Sequence, residues 1–469
     1  MKNKITCVSL ALFILAVALP AKAADTGSFT FPKYSKAQFD NGLTVYLLER
    51  HDVPLIYISA TFKAGSVFDG KKYGLADLTA ESLMFGSGGK SKGEIEEIID
   101  FHGASLGVGG GVENSSLSAS FASKDADAFL PLIKDIILSP AFDEGEFSKY
   151  KGRLKVQLAR AKESPRQVIG MYFNRFLYGD HPYGAPTSGT TTTVEGITLD
   201  DVKAFHKKYY SPKTSAIALV GDFNTEEMKK KLNDLFKDWA PADSTAVKKK
   251  RVDFKPFSKN RVMLINKEDS RQTTFLIGGW GVEYSHPDFV AISLVNTILG
   301  GRFTSWLNTE LRIKSGLSYG ARSGFNQRSD AGTFSMSSFT ATPTTERALD
   351  LALQVMERLQ KEGIDEETLR SGKNYMKGNF PRRYESPGSQ VGFLTAMHVY
   401  GIDEDYINSF TSDLESVTPE KVKEVIKKYF PAENLQFVLA GKGSAIRELA
   451  KKYGEVLELD INDDKYLSK

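Results

Sequence analysis

The sequence predicts an α+β fold built as two similar tandem domains, and three observations carry that prediction. The first is an internal repeat. Val202–Gly221 reads VKAFHKKYYSPKTSAIALVG and Val422–Gly441 reads VKEVIKKYFPAENLQFVLAG, with Val, Lys, Lys, Lys, Tyr and Gly recurring at a constant offset of 220 residues. Each copy reads as a helix ending near Lys-Lys, a proline-bearing turn, and an alternating strand that stops at glycine. The second is upstream of the repeat, where Glu163-Ser164-Pro165 and Glu385-Ser386-Pro387 follow long helical patterns that begin near Ala126 and Thr345. The third is the rhythm of the elements: helices and hairpins interleave without a regular βαβ alternation, which favours α+β over a doubly wound sheet.

In chain order, residues 1–23 have the form of a secretory signal. Lys2 and Lys4 precede a 12-residue apolar run, Val8–Leu19, which is short for a membrane span, and Ala21-Lys22-Ala23 supplies an A-x-A cleavage site. A retained membrane anchor is the alternative. The expectation is an exported, periplasmic chain with no membrane span after removal of the signal. Cleavage takes away Lys2, Lys4 and Lys22 and no acidic residue, so 61 basic residues become 58 against 58 acidic. That balance gives no electrostatic footprint for nucleic acid or an anionic membrane. The one cysteine, Cys7, lies inside the signal, which excludes disulfides, thiolate metal sites and a cysteine nucleophile from the rest of the chain.

The first domain is expected over residues 29–245 and the second over 250–469. Ala240–Phe257, with proline, small polar residues and the Lys248–Arg251 run, reads as a solvated linker. In the first domain Asn41–Arg50 and Leu55–Lys63 alternate like paired strands. A helix is expected over roughly Leu75–Phe85, between Gly74 and the glycines at 86, 88 and 89, and another over Ser91–His102. Gly103–Gly111 reads either as a plain turn or as flexible backbone beside an edge strand, Ser115–Ala122, that could capture peptide by strand addition. Helices over Asp125–Ile137 and Glu144–Lys162 follow.

The stretch Gly74–Gly89, GLADLTAESLMFGSGG, resembles the active-site helix of the pitrilysin/insulinase family of zinc peptidases. That family carries H-x-x-E-H after a Gly-Leu-Ala lead; the histidines bind zinc and the glutamate is the general base. The resemblance places Asp77 at the first histidine, Ala80 at the glutamate and Glu81 at the second histidine. Aligned on Glu163-Ser164-Pro165, Gln157 takes the position of the third ligand, a glutamate in the family. All four positions are changed. Asp77 and Glu81 share a helix face, and with Gln157 they read either as a site for a hard cation or as the wall of a hydrated cavity. The six histidines are scattered, and no two share a helix face at ligand spacing.

The second domain keeps what the first has lost. Leu299–Phe325, LGGRFTSWLNTELRIKSGLSYGARSGF, matches the family pattern G-G-x-F-x-S-x-L-x-x-x-L-R followed by G-L-x-Y. The resemblance gives Arg312 and Tyr319 the family's paired role: they bind the substrate carbonyl and stabilise the oxyanion. One such donor is worth about 2.7–4 kcal/mol of barrier. The alternative is structural, with Arg312 near the C-terminus of a Thr304–Lys314 helix, where a cation suits the dipole, and Tyr319 packed in a strand.

The resemblance implies two bowl-like chains that close as a clamshell. It also implies a zinc-less subunit whose partner, an H-x-x-E-H peptidase chain, supplies the zinc while Arg312 and Tyr319 act across the interface on peptide substrates. No cofactor is expected on this chain itself. A peptidase-like scaffold without catalysis, or a self-sufficient hydrolase using another metal at Asp77 and Glu81, are the alternatives.

Overall fold

The computed structural model describes residues 29–242, 255–330 and 332–468. The signal segment and most of the linker lie outside the described residues. Among these residues, no helix is long and apolar enough to cross a membrane.

Two six-stranded mixed sheets organise the chain. The strands are β1 Ser35–Gln38, β2 Thr44–Glu49, β3 Leu55–Phe62, β4 Ser105–Gly110, β5 Ser115–Ala122 and β6 Ser215–Gly221, then β7 Arg261–Asn266, β8 Gln272–Trp280, β9 Ala321–Asn326, β10 Thr333–Ala341, β11 Gln436–Gly441 and β12 Glu455–Asp460. The orders are β1-β2-β6-β3-β5-β4 and β12-β7-β11-β8-β10-β9. Five of the six places correspond in sequence order, as the repeat requires. The outer place differs. β1 precedes β2 and pairs with it antiparallel, whereas β12 arrives from the C-terminal end and runs parallel to β7.

Two expectations are corrected here. Strands β2 and β3 are not partners, because β6 lies between them, parallel to β2 and antiparallel to β3. Strand β5 is not an edge, because it pairs with both β3 and β4; the edge is the Gly-rich β4 itself. Glycine weakens a strand interior and marks a close backbone approach, and β4 ends in such an approach at Gly110.

The repeated segments form as read, up to the strand pattern. Leu199–Tyr209 and Pro419–Tyr429 are helices, each capped by a threonine, Thr198 or Thr418, and each leads to a strand, β6 or β11. Those strands are buried along their whole length rather than on alternate residues. Helices α1 Leu75–Ser82, α2 Lys92–Phe101, α3 Ala126–Leu138, α4 Glu144–Ala161 and α5 Pro165–Tyr178 fill most of the first half. Ser91 and Glu94 make a reciprocal capping box on α2.

Both Ser-Pro signals open helices with proline in the first turn, where its missing N–H costs nothing. These two helices cross over. Helix α5 packs on the second sheet, where Val168, Ile169 and Phe173 share a core with Met263, Ile265, Val438 and Ala440. The Pro387–Tyr400 helix packs on the first sheet, where Val391 and Phe393 share a core with Tyr46, Ala216, Ala218 and Val220. Each sheet is therefore covered on one face by its own half and on the other by a helix from the opposite half.

Candidate functional site

The site at α1 is set by its entry. Gly74 caps the helix at φ +99°, a backbone conformation that suits glycine. Asp69 accepts hydrogen bonds from the Gly74 and Ala76 amides, both at 2.8 Å, which satisfies donors that a helix N-terminus leaves open. Burial pushes the Asp69 carboxyl up to about 8, against those amides. The apolar positions Leu75, Leu78 and Leu83 anchor the helix and the turn after it in the first core.

Asp77 and Glu81 share one face of α1, as read from the sequence, and are half-buried. Asp77 accepts from the Gly110 amide of β4 at 3.2 Å. Burial raises its pKa; hydrogen bonds from Ser188 and Gly110 oppose the rise. Glu81 is pushed up to about 7, first by burial and then by the Asp77 charge; Tyr150 on α4 and Lys92 oppose this. Tyr150 is itself raised by burial and by both carboxylates. Tyr150 is thus the α4 residue that faces the α1 carboxylates. Sequence alignment points instead to Gln157, which is exposed and makes no hydrogen bond to either carboxylate among the described residues. Tyr150 stands two helical turns before Gln157, and a tyrosine carries no ligand signal in a sequence.

This donor set does not fit zinc. Ala80, fully buried, offers neither base nor ligand. Two carboxyls whose surroundings favour the protonated form lack the imidazoles that zinc sites of this type use. Among the described residues there is no group of three or more His, Cys, Asp or Glu side chains that could hold a metal ion.

Arg312 and Tyr319 lie on the second half. The expected Thr304–Lys314 helix is a short α-helical turn, Trp306–Asn308, followed by a π-helical segment, Thr309–Lys314, that carries Arg312. Such wide turns inside helices occur often at functional sites. Gly316, at φ +63°, ends it, and its amide donates to the Arg312 carbonyl at 3.2 Å. Tyr319 sits in the loop before β9, not in a strand, and is 81% exposed. The Arg312 guanidinium lies 4.9 Å from the Phe303 ring centroid. Neither side chain has a hydrogen-bond or ion-pair partner among the described residues; Arg312 does lie in the last turn of its helical segment, where a cation suits the dipole. Eight large apolar side chains stand exposed among the described residues, and four of them, Phe303, Ile313, Tyr319 and Tyr375, fall on or beside this segment. No hydrogen bond, ion pair or ring contact joins this face to Asp77 or Glu81 among the described residues.

A peptidase-like architecture of two related halves, with the catalytic base position filled by alanine, defines a hydrolase scaffold without a working centre of its own. Comparison with known proteins agrees. Residues 45–191 match the family model of insulinase, peptidase family M16, and residues 196–376 match the model of the peptidase M16 inactive domain. The chain belongs to peptidase family M16, and its site is that of an inactive member. It is 21% identical over 405 residues to the uncharacterized zinc protease YmxG of Bacillus subtilis, covering 86% of this chain and 97% of that protein. It is 20% identical over 394 residues to the non-peptidase homolog YmxG of Helicobacter pylori, covering 83% and 90%. A peptidase M16 inactive domain from Pseudomonas fluorescens superposes with a TM-score of 0.81 at 28% identity, covering 87% of this chain and 98% of that one. A protease from Helicobacter pylori shares the fold with a TM-score of 0.80 at 22% identity, covering 88% and 100%.

Proposed function

We propose that this chain is the non-zinc-binding subunit of an exported, periplasmic, heterodimeric metallopeptidase. In this reading the partner subunit carries H-x-x-E-H and its zinc. This chain presents Arg312 and Tyr319 across the interface to the carbonyl of a bound peptide, and they stabilise the oxyanion that forms when water attacks. A guanidinium and a phenol are both hydrogen-bond donors suited to a developing oxyanion. Preorganised donors aimed at developing charge are the largest single contribution in many acyl-transfer enzymes.

The observation that carries the reading is an asymmetry. The metal positions Asp77, Ala80, Glu81 and Gln157 are all changed, while Arg312 and Tyr319 keep both identity and spacing and stand exposed, with no hydrogen-bond or ion-pair partner among the described residues. A scaffold has no use for the second feature.

Co-purification tests it. The tagged chain is expressed in its native compartment, and the eluate is assayed for zinc and for cleavage of unfolded peptides. The expected result is a partner with H-x-x-E-H, with activity only in the mixture. An eluate with no such partner and no activity overturns the reading in favour of a binding scaffold.

A further inference from the structure

Every element that builds the Asp77–Glu81 site has a counterpart in the second half. Helix α1 follows β3, and α4 is the second long helix after β5; likewise the Phe289–Asn296 helix follows β8, and the Glu366–Asn379 helix is the second after β10. Where the first half sets two carboxylates against Tyr150 and the β4 backbone, the second half encloses a cavity of about 310 Å³ between those two helices and Phe325 of β9.

The walls of this cavity are aromatic. Tyr406 stacks with Phe289 at 5.5 Å and 21°, and with Tyr284 at 5.6 Å and 21°. On another side Phe380 lies parallel to Phe410, with centroids 3.7 Å apart at 2°. Beside the tyrosines, the polar side chains of Ser293, Asn296, Thr297, Gln327 and Arg383 line it. The Phe289–Asn296 helix buries Ala291, Ile292, Leu294 and Val295 in the core and gives Ser293 and Asn296 to the cavity. The Asn296 Oδ1 accepts from the Ser323 hydroxyl at 2.7 Å, which orients the amide and leaves its NH2 without a partner among the described residues. The Ser293 hydroxyl likewise has no partner among them. Arg383, exposed, completes the lining and has no acidic partner among the described residues; no carboxylate lines the cavity.

A cleft of this size that sets convergent polar groups against aromatic walls has the form of a small-ligand site. Flat walls suit a planar ring, which gains from offset stacking. The one charge in the lining is a guanidinium, which favours a carboxylate over any cation. We propose that this cavity binds an aromatic carboxylate, with the ring against Tyr406 and Phe380 and the carboxylate on Arg383 and the Asn296 amide. A free aromatic acid and the aromatic C-terminal residue of a peptide present this same chemistry. The site requires no partner subunit.

Titration calorimetry on the full chain without its signal tests this, using 3-phenylpropionate, the tripeptide Gly-Gly-Phe and the C-terminal amide of that tripeptide. Saturable binding of at least one of the two carboxylates is expected, with the amide weaker than the acid peptide by about tenfold or more. Binding of 3-phenylpropionate assigns a free acid; binding of Gly-Gly-Phe alone assigns a peptide C-terminus. Arg383→Glu is expected to lower affinity by about tenfold or more, and Ser293→Leu, which fills the slot, to abolish it. Arg383 is exposed and unpaired, so its replacement leaves the thermal midpoint unchanged. Absence of saturable heat with both carboxylates overturns the proposal. So does equal binding of the amide, or an Arg383→Glu variant that binds as tightly as the parent chain.

Discussion

The backbone of Gly110 lies directly against Asp77: its amide donates to Asp77 Oδ1 at 3.2 Å, and a Cβ at this glycine would meet the Asp77 Cα at 2.5 Å. The edge strand and the α1 helix are thus seated on each other through main chain, with no side chain able to yield. Gly110→Ala is expected to destabilise the chain by about 1–3 kcal/mol, the usual cost of overpacking. Gly109, one residue away, has open space where its Cβ would go, so Gly109→Ala is expected to change stability by about 0.5 kcal/mol or less. Urea midpoints of the two variants decide this, and equal midpoints would contradict the seating.

Stability should fall between mildly acidic and neutral pH because of Glu81. Its folded-state pKa of about 7 lies above the ordinary 4.5, so the folded chain holds a proton there that the unfolded chain releases. The stabilisation is complete below the unfolded value and is lost as pH rises through about 7. Glu81→Gln removes the titration. The variant is expected to be more stable than the parent at pH about 8, with the advantage shrinking as pH falls to about 5. Unfolding midpoints across that range measure it; parallel curves for both proteins would refute the assignment.

How the site reads from sequence depends on what kind of contact makes it. Asp77 and Glu81 are legible because a four-residue spacing on a helix fixes a shared face, and Ala80 because an absent functional group shows in the letter itself. Tyr150 is not legible, since its pairing with Glu81 depends on how α4 is rotated against α1, and Gln157 two turns further on is equally polar. The repeat shows two halves and the cap residues that begin their helices. It does not show that β6 inserts between β2 and β3, because pairing across more than 150 residues leaves no local pattern. Nor does it show that β6 and β11 are buried on both faces, which follows from helices donated by the opposite half.

Arg312 and Tyr319 separate folding from function. Both side chains are exposed and without hydrogen-bond or ion-pair partners among the described residues, so Arg312→Ala and Tyr319→Phe are each expected to leave stability within about 0.5 kcal/mol of the parent. In the complex with a zinc-bearing partner, each is expected to lower kcat for peptide cleavage by about 10²–10³-fold, the loss that follows removal of one oxyanion donor. Size-exclusion profiles of the mixtures should not change. Full activity in both variants would remove these residues from the chemistry, and loss of assembly would make them interface residues instead.

The exchange of helices predicts that the two halves unfold together. Phe393 sits on the Pro387–Tyr400 helix of the second half, is 5% exposed, and meets the ring of Phe31 at 5.0 Å and that of Tyr384 at 5.4 Å. The same helix is tied to the first half by Gln390, which accepts from Arg50 at 3.0 Å, and by Thr395, whose hydroxyl lies 3.2 Å from that of Ser59. Helix α5 returns the exchange through Val168, Ile169 and Phe173 on the second sheet. Removing the ring in Phe393→Ala should cost about 3–5 kcal/mol, as large-to-small changes in a packed core do. That cost should be felt in both sheets, since the helix that loosens is the outer cover of the first sheet and part of the second half's own chain. Hydrogen exchange reads the two separately: peptides from β6 and from β11 should lose protection by the same factor, whereas Phe101→Ala, at an 84% exposed position, should move neither. Loss confined to β11 would mean that the crossing helix is a passive cover and that the halves fold independently.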